Sequence, residues 1–439
     1  MKLALRGDLL DFTEAPPWAG TDVYGVRFRP DHWLMIDGGR IAGTLPGEQP
    51  PGADWQRADH RGRLLMPGFI DTHVHCPQLD VIGSFGANLL DWLDTYTFPA
   101  ERRFADPDIA ATGAAMFLDA LLAHGTTTAV AFATVHKVSA EKLFAAAAQR
   151  GMQIVTGKVL MDRNAPEGLR DDVAGAEADC VELIENWHGR GRARYAVTVR
   201  FAATSTPEQL AMAGALVRRH PGVYMQTHVA ENTDEVRWIA ELFPEARSYL
   251  DVYHRHGLLN ARAVLAHGIW LDADDRALLR DTGAHIAFCP SSNLFLGSGL
   301  FDWQAAVDAG HGVSLASDVG GGTSLAMPRT LAEAYKVQML RGTRLSAWTA
   351  LYTATRGAAE GLGLAHEIGH FDPGATADVV AWDWAHGAVA AHRDAVARGA
   401  VPGLPAQELH ARVFAWLTLA DERCVAQTYV AGVSRYLRP

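Results

Sequence analysis

From Phe69 onward the sequence alternates between short apolar runs and longer stretches of helical periodicity. After Phe69-Ile70 the runs fall at 127–133, 153–160, 195–201, 223–227, 264–266, 285–288 and 313–316. Most are short and rich in β-branched residues, as strands covered on both faces by helices should be. Helical patterns at 108–124, 139–150 and 207–219 lie between them. Strand–helix alternation repeated eight times predicts an α/β protein built on a (β/α)8 TIM barrel. A doubly wound sheet is the structural rival, but no GxGxxG follows the first strand. The length of 439 residues suits one long barrel domain plus a smaller one.

The flanks read differently. Residues 1–66 alternate at period two in Val23-Tyr24-Gly25-Val26-Arg27-Phe28 and are punctuated by Pro46-Gly47 and Pro50-Pro51-Gly52, which predicts short strands broken by turns. Near the C-terminus, Asp372-Pro373-Gly374 is a turn, and 377–382 and 425–432 read as strands. The expected organisation is a barrel over 67–372, with a small β-sandwich domain built from both chain ends, 1–66 and 373–439.

Composition narrows the function classes. Acids exceed bases by 50 to 39, for a formal charge of −11, which argues against a protein built to grip nucleic-acid backbones. No apolar run reaches the roughly 18 residues that span a bilayer, and Met1-Lys2-Leu3-Ala4-Leu5-Arg6 meets charge too early for a signal-peptide core. Cys76, Cys180, Cys289 and Cys424 form no CxxC pair, so four reduced thiols in a cytoplasmic protein are expected.

Histidine carries the chemistry. His73-Val74-His75 directly follows the strand at Phe69-Ile70-Asp71. Residues two apart on a strand point the same way, so both imidazoles can reach one metal ion. Alone, this motif is weak. Yet His228 closes 223–227, with Glu231 three residues on, His267 closes 263–266 and Asp318 closes 313–317. Any one of these taken singly reads as a capping or buried, hydrogen-bonded polar group. Together, at the strand ends where barrel active sites form, they describe a metal site. Histidine nitrogens and a carboxylate suit zinc, and also iron or manganese.

Longer segments then point to a family. Pro67-Gly68-Phe69-Ile70-Asp71-Thr72-His73-Val74-His75, the later histidines, Asp318 and Pro373-Gly374-Ala375-Thr376-Ala377-Asp378-Val379-Val380 resemble the amidohydrolase superfamily. Thr95-Tyr96-Thr97-Phe98-Pro99-Ala100-Glu101, His228-Val229-Ala230-Glu231-Asn232 and Cys289-Pro290-Ser291-Ser292-Asn293-Leu294 narrow the resemblance to its guanine deaminases. The likeness covers essentially the whole chain. It implies one zinc per chain on His73, His75, His228 and Asp318, in a homodimer that hydrolyses guanine to xanthine and ammonia. Binuclear relatives carry a bridging lysine at the end of the fourth strand. Arg200-Phe201 stands there instead, which disfavours a second metal, and Lys158 on the preceding strand reads as structural.

The resemblance also assigns roles. Zinc lowers the pKa of water towards about 7. Glu231 would shuttle protons, His267 would hold the attacking water, and Asp318 would take a proton from it. His228, Glu231 and Asp318 would also touch the substrate. On the purine's lactam edge Arg200 would donate to O6 and Gln78 would offer its amide, while Phe201 would stack on the ring. The ordinary alternatives are a buried ion pair for Arg200, a solvated loop amide for Gln78 and core packing for Phe201.

Several motifs carry no function on this reading. His366-Glu367-Ile368-Gly369-His370 matches HExxH, which works only on a helix, and glycines interrupt and flank it. The PCxxC signature of the other zinc nucleobase deaminases is absent. Arg6-Gly7-Asp8 has no adhesive meaning here, and Trp382-Asp383-Trp384 reads as packing. The rival functions are a deaminase acting on another purine, a pterin or a triazine, and a non-catalytic scaffold of the same fold. Such a scaffold would be expected to lose metal ligands, and every one is present.

Overall fold

The computed structural model describes residues 1–86, 89–398 and 405–439. Eight successive strand positions form one sheet, in the chain order Phe69–His75, Thr126–Phe132, Gln153–Gly157, Ala193–Val199, Tyr224–Val229, Ala263–His267, His285–Phe288 and Val313–Leu315. The pairings from Gln153–Gly157 through Val313–Leu315 are parallel. Val159–Leu160 also pairs with Ala193–Val199, continuing the third strand position. The fold is the expected (β/α)8 barrel.

Side chains and backbone close the ring between its first and last strands. Thr72 Oγ1 lies 2.8 Å from Ser314 Oγ and donates to the Leu315 carbonyl. Asp71 accepts from the Ser317 amide at 3.0 Å and from the Ser317 hydroxyl. The Asp318 amide donates to the His73 carbonyl, and the His75 amide to that of Val319. These bonds hold His73, His75 and Asp318 side by side. Asp71 is fully buried, and desolvation pushes its carboxyl up to about 6 despite the Ser317 hydrogen bonds.

The strands are almost wholly buried, since helices cover them. Pro207–Arg219 begins at a Thr206 cap, and Thr233–Leu242 begins with a capping box between Asn232 and Glu235. Helix and strand bounds fall within a few residues of those read from the sequence.

By compactness the chain divides into two units, one of 1–70, 119–128 and 326–439, the other of 71–118 and 129–325. The first unit carries a seven-stranded mixed sheet made from both chain ends. Its order is Val433–Leu437, Val425–Val430, Val379–Asp383, Gln56–Pro67, Lys2–Phe12, Val26–Asp37 and Arg40–Pro46. The N-terminal strands are longer than expected, with 11 residues in Lys2–Phe12 and 12 in Val26–Asp37 and in Gln56–Pro67. Register shifts on either side of Gly7 interrupt these long ladders, and period-two scanning reads such interruptions as strand ends. Leu3, Leu5 and Leu9 pack with Leu34, Ile36 and Val379 on one sheet face, while Ala4 packs with Trp33 and Met35 on the other.

The segments set aside as non-functional fall in this unit. Arg6-Gly7-Asp8 lies inside a strand, where Arg6 pairs with Asp31. Residues 366–370 are turns, His366 is exposed, and the His370 ring bonds the Ala365 carbonyl. Trp382 is fully buried edge-on against Phe69 and Trp416. No helix among the described residues is long and apolar enough to cross a membrane.

Candidate active site

The polar strand ends converge in the second unit. His73 and His75, two apart on the first strand, bring their Nε2 atoms within 3.2 Å. His228 Nε2 lies 3.3 Å from His75 Nε2, and Asp318 Oδ1 lies 3.2 and 3.3 Å from His73 and His75 Nε2. The ligand atoms of all four residues fall within 4.8 Å of one another. Phe132, at the end of the next strand, packs its ring against those of His73, His75 and His228.

This donor set fits a metal ion. Tetrahedral ligands at 2.0–2.1 Å from zinc sit about 3.3–3.4 Å apart, close to the spacings found. His228 donates its Nδ1 proton to the Arg200 carbonyl at 2.6 Å, which leaves Nε2 as a bare lone pair. Burial lowers the pKa of His75 to about 3 and that of His228 well below the usual imidazole range. Burial alone would raise Asp318, but His73 and His75 hold it well below the usual carboxylate range. Imidazoles of lowered pKa at His75 and His228 beside an ionised Asp318 carboxylate suit a bound cation. A second grouping of His267, Cys289 and Asp318 is poorer. Burial pushes the Cys289 thiol well above its usual range, and that thiol donates to the Ala287 carbonyl.

His267 and Glu231 stand beside this cluster. His267 Nδ1 donates to Asn293 Oδ1 at 2.8 Å, leaving Nε2 3.3 Å from Glu231 Oε2 and 3.7 Å from Asp318 Oδ2. The Ser298 hydroxyl donates to Glu231 Oε1 at 2.8 Å. Burial, reinforced by Asp318, pushes the Glu231 carboxyl up to about 8, so it holds a proton at neutral pH. Because Ser298 occupies Oε1, that proton belongs on Oε2, facing His267. Glu235, one helical turn on, accepts from the Glu231 amide at 2.9 Å and from the Tyr249 hydroxyl at 2.7 Å, fixing the backbone that carries Glu231.

His267 and Asp318 have positive φ angles of 72° and 49°, and Ala230 has 48°. Left-handed backbone is uncommon for residues other than glycine. Here it turns the chain sharply as each strand ends, a strain that collects at functional sites.

His75, His228, Asp318, His267, Glu231 and Glu235 line one pocket. Gln78, Arg200 and Phe201 line it too, so all the residues expected to touch substrate lie together. Trp92, Leu93 and Leu296 add apolar wall. Arg200 Nη1 donates to Glu101 at 2.5 Å, and Phe98 lies under its guanidinium. Phe201 stands edge-on to Trp238 with its ring centroid 6.0 Å away. Lys158 is buried and paired with Asp171, as the structural reading expected.

Sequence reasoning missed Glu101, Phe132, Glu235, Asn293 and Ser298. Glu235 had a local signal, because Asn232-Thr233-Asp234-Glu235 is a capping-box pattern. Glu101 and Asn293 sit inside segments that carried the family likeness, with nothing in their spacing to say what they touch.

Comparison with known proteins agrees with this geometry. The family described as "Amidohydrolase family" matches residues 64–434. A guanine deaminase of Escherichia coli K12 is 42% identical, over 99% of this chain and 98% of the relative. The solved structure of E. coli guanine deaminase superposes with a TM-score of 0.93 at 40% identity, covering 100% of both chains. A guanine deaminase from C. acetobutylicum, solved with guanine in its active site, gives a TM-score of 0.86 at 26% identity, covering 99% of this chain and 100% of that one.

Proposed function

Because the chain belongs to the amidohydrolase family, we propose that it hydrolyses guanine to xanthine and ammonia, with one zinc ion held by His73, His75, His228 and Asp318. The observation that carries this reading is that one pocket is lined both by His75, His228 and Asp318 with Glu231 and His267 and by Arg200 and Gln78. The near full-length likeness to a guanine deaminase supports guanine over other heterocycles.

Zinc, when bound, supplies Lewis acidity that makes water a nucleophile near neutral pH. The rest falls to the chain. Arg200 donates to the purine O6, Gln78 holds the same edge, and Phe201 lies against the ring. C2 is thereby turned towards Glu231 and His267. Protonated Glu231 gives its proton to N3 as water oxygen adds to C2. Asp318 accepts a proton from that water, and His267 Nε2 orients it. Glu231, recharged with the second proton of the added water, passes it to the departing amine, and the proton taken by Asp318 then returns to Glu231 past His267 Nε2, which lies beside both carboxylates. The C2–N bond then breaks and ammonia leaves. Water is consumed and no oxidant enters.

In the same reading residues 67–372 are the catalytic domain, and 1–66 with 373–439 form the small one. The enzyme works as a cytoplasmic homodimer on a free purine base. The deciding experiment incubates zinc-loaded protein with guanine, follows xanthine by ultraviolet absorbance and measures metal on the same sample. Conversion with about one zinc per chain is expected. Metal-loaded protein that leaves guanine untouched, or prefers a pterin or triazine, refutes the proposal.

A further inference from the structure

Glu101 is fully buried and is absent from the pocket lining, yet it bonds both side chains at the pocket's recognition end. Its Oε2 accepts from Arg200 Nη1 at 2.5 Å, and its Oε1 accepts from Gln78 Nε2 at 3.1 Å. The other end of the Gln78 amide is also taken, since Oε1 accepts from the Gly320 backbone amide at 3.1 Å. We infer that Glu101 is a specificity-determining positioning residue, which locks Gln78 and Arg200 as hydrogen-bond donors and so selects 6-oxo over 6-amino purines. The inference rests on the proposal that this pocket takes a purine by its lactam edge.

The reasoning turns on what each partner can do. An ionised carboxylate only accepts and a backbone N–H only donates, so between them they fix which end of the amide is which. Turning the Gln78 amide over would set oxygen against Glu101 and nitrogen against Gly320. A buried site strongly disfavours losing both bonds at once. The guanidinium of Arg200 has no acceptor to offer in any orientation. Glu101 also balances the Arg200 charge, so this end of the pocket offers directed N–H groups from a neutral pair rather than an unbalanced cation. A 6-oxo group completes such donors, whereas a 6-amino group sets donor against donor. Sites built to hydrogen-bond one group discriminate strongly against its replacement.

Glu101→Gln tests this, because it keeps length while removing the charge and one accepting end. Hypoxanthine and adenine are the probes, since neither carries an amine at position 2. Their affinities for zinc-loaded protein are measured by calorimetry and by competition with guanine. The wild type should favour hypoxanthine by about a hundredfold or more. The variant should lose at least about tenfold of that preference, with guanine KM raised roughly 10- to 100-fold and kcat changed far less. Zinc content should stay unchanged. Glu101→Asp, which keeps the charge on a shorter arm, should fall between the two, and it decides the matter if the Gln variant does not fold. A wild-type preference in either folded variant overturns the role of Glu101 while leaving the guanine reading intact. Wild-type protein that neither turns over guanine nor favours hypoxanthine removes the guanine reading, and the role of Glu101 with it.

Discussion

Replacing Glu231 by Gln separates proton transfer from metal binding. Glu231 is 3% exposed, and its side chain accepts from Ser298 on Oε1 and faces His267 Nε2 at 3.3 Å through Oε2. A glutamine can keep the Ser298 bond on its own Oε1. Its amide then donates to His267 Nε2, which is free to accept because Nδ1 carries the proton given to Asn293. No buried polar atom is stranded, so stability should change by no more than about 1 kcal/mol. Metal content should also hold, since Glu231 lies outside the four-residue cluster. What disappears is the acid. Burial and the neighbouring Asp318 push the Glu231 carboxyl up to about 8, which favours its protonated form, and an amide cannot replace that proton donor. Loss of a positioned general acid–base costs about 10²–10⁴ in kcat, or about 2.7–5.4 kcal/mol in the barrier. Steady-state kinetics on guanine, metal analysis and a melting curve should be run on one preparation. A normal kcat would refute the shuttle, and zinc falling with activity would make Glu231 a ligand.

His228→Ala should remove most metal and activity together, and full zinc occupancy in that variant would mean the site is misassigned. Arg200→Ala removes the O6 donor, a loss of about 2 kcal/mol or roughly 30-fold in kcat/KM. It also leaves Glu101 buried without its cation, so stability should fall by about 3–5 kcal/mol, read by denaturant titration. Unchanged kinetics would make Arg200 structural. His285 and His311 predict acid sensitivity, because burial lowers both to about 4. A histidine depressed in the fold gives its full stability above its unfolded pKa of about 6.5 and loses it as pH falls towards 4, by up to about 3 kcal/mol. His285→Asn should shrink the drop in unfolding free energy between pH 7.5 and 4.5 relative to wild type, and an equal drop in both proteins would refute the assignment.

The barrel and its reactive end were legible in the sequence because both depend on local order. Strands buried on both faces are short and largely apolar, often β-branched, so Thr126–Phe132 and Ala263–His267 announce themselves. A polar residue that ends such a run must sit at a strand end, which places His73, His75, His228, His267 and Asp318 from the sequence alone. HExxH at 366–370 is ruled out on equally local grounds, by its glycines. What the sequence could not show is which side chains meet. Glu101 lies 23 residues from Gln78 and 99 from Arg200, and Ser298 lies 67 from Glu231. Along the chain a buried acid looks the same as an exposed one. Only the closed ring of strands sets Glu101 between two donors, points Ser298 at one oxygen of Glu231, and desolvates that carboxyl until it keeps its proton. Residue types fix which reactions are available, but orientation and protonation are set by neighbours that the fold brings in from distant parts of the chain.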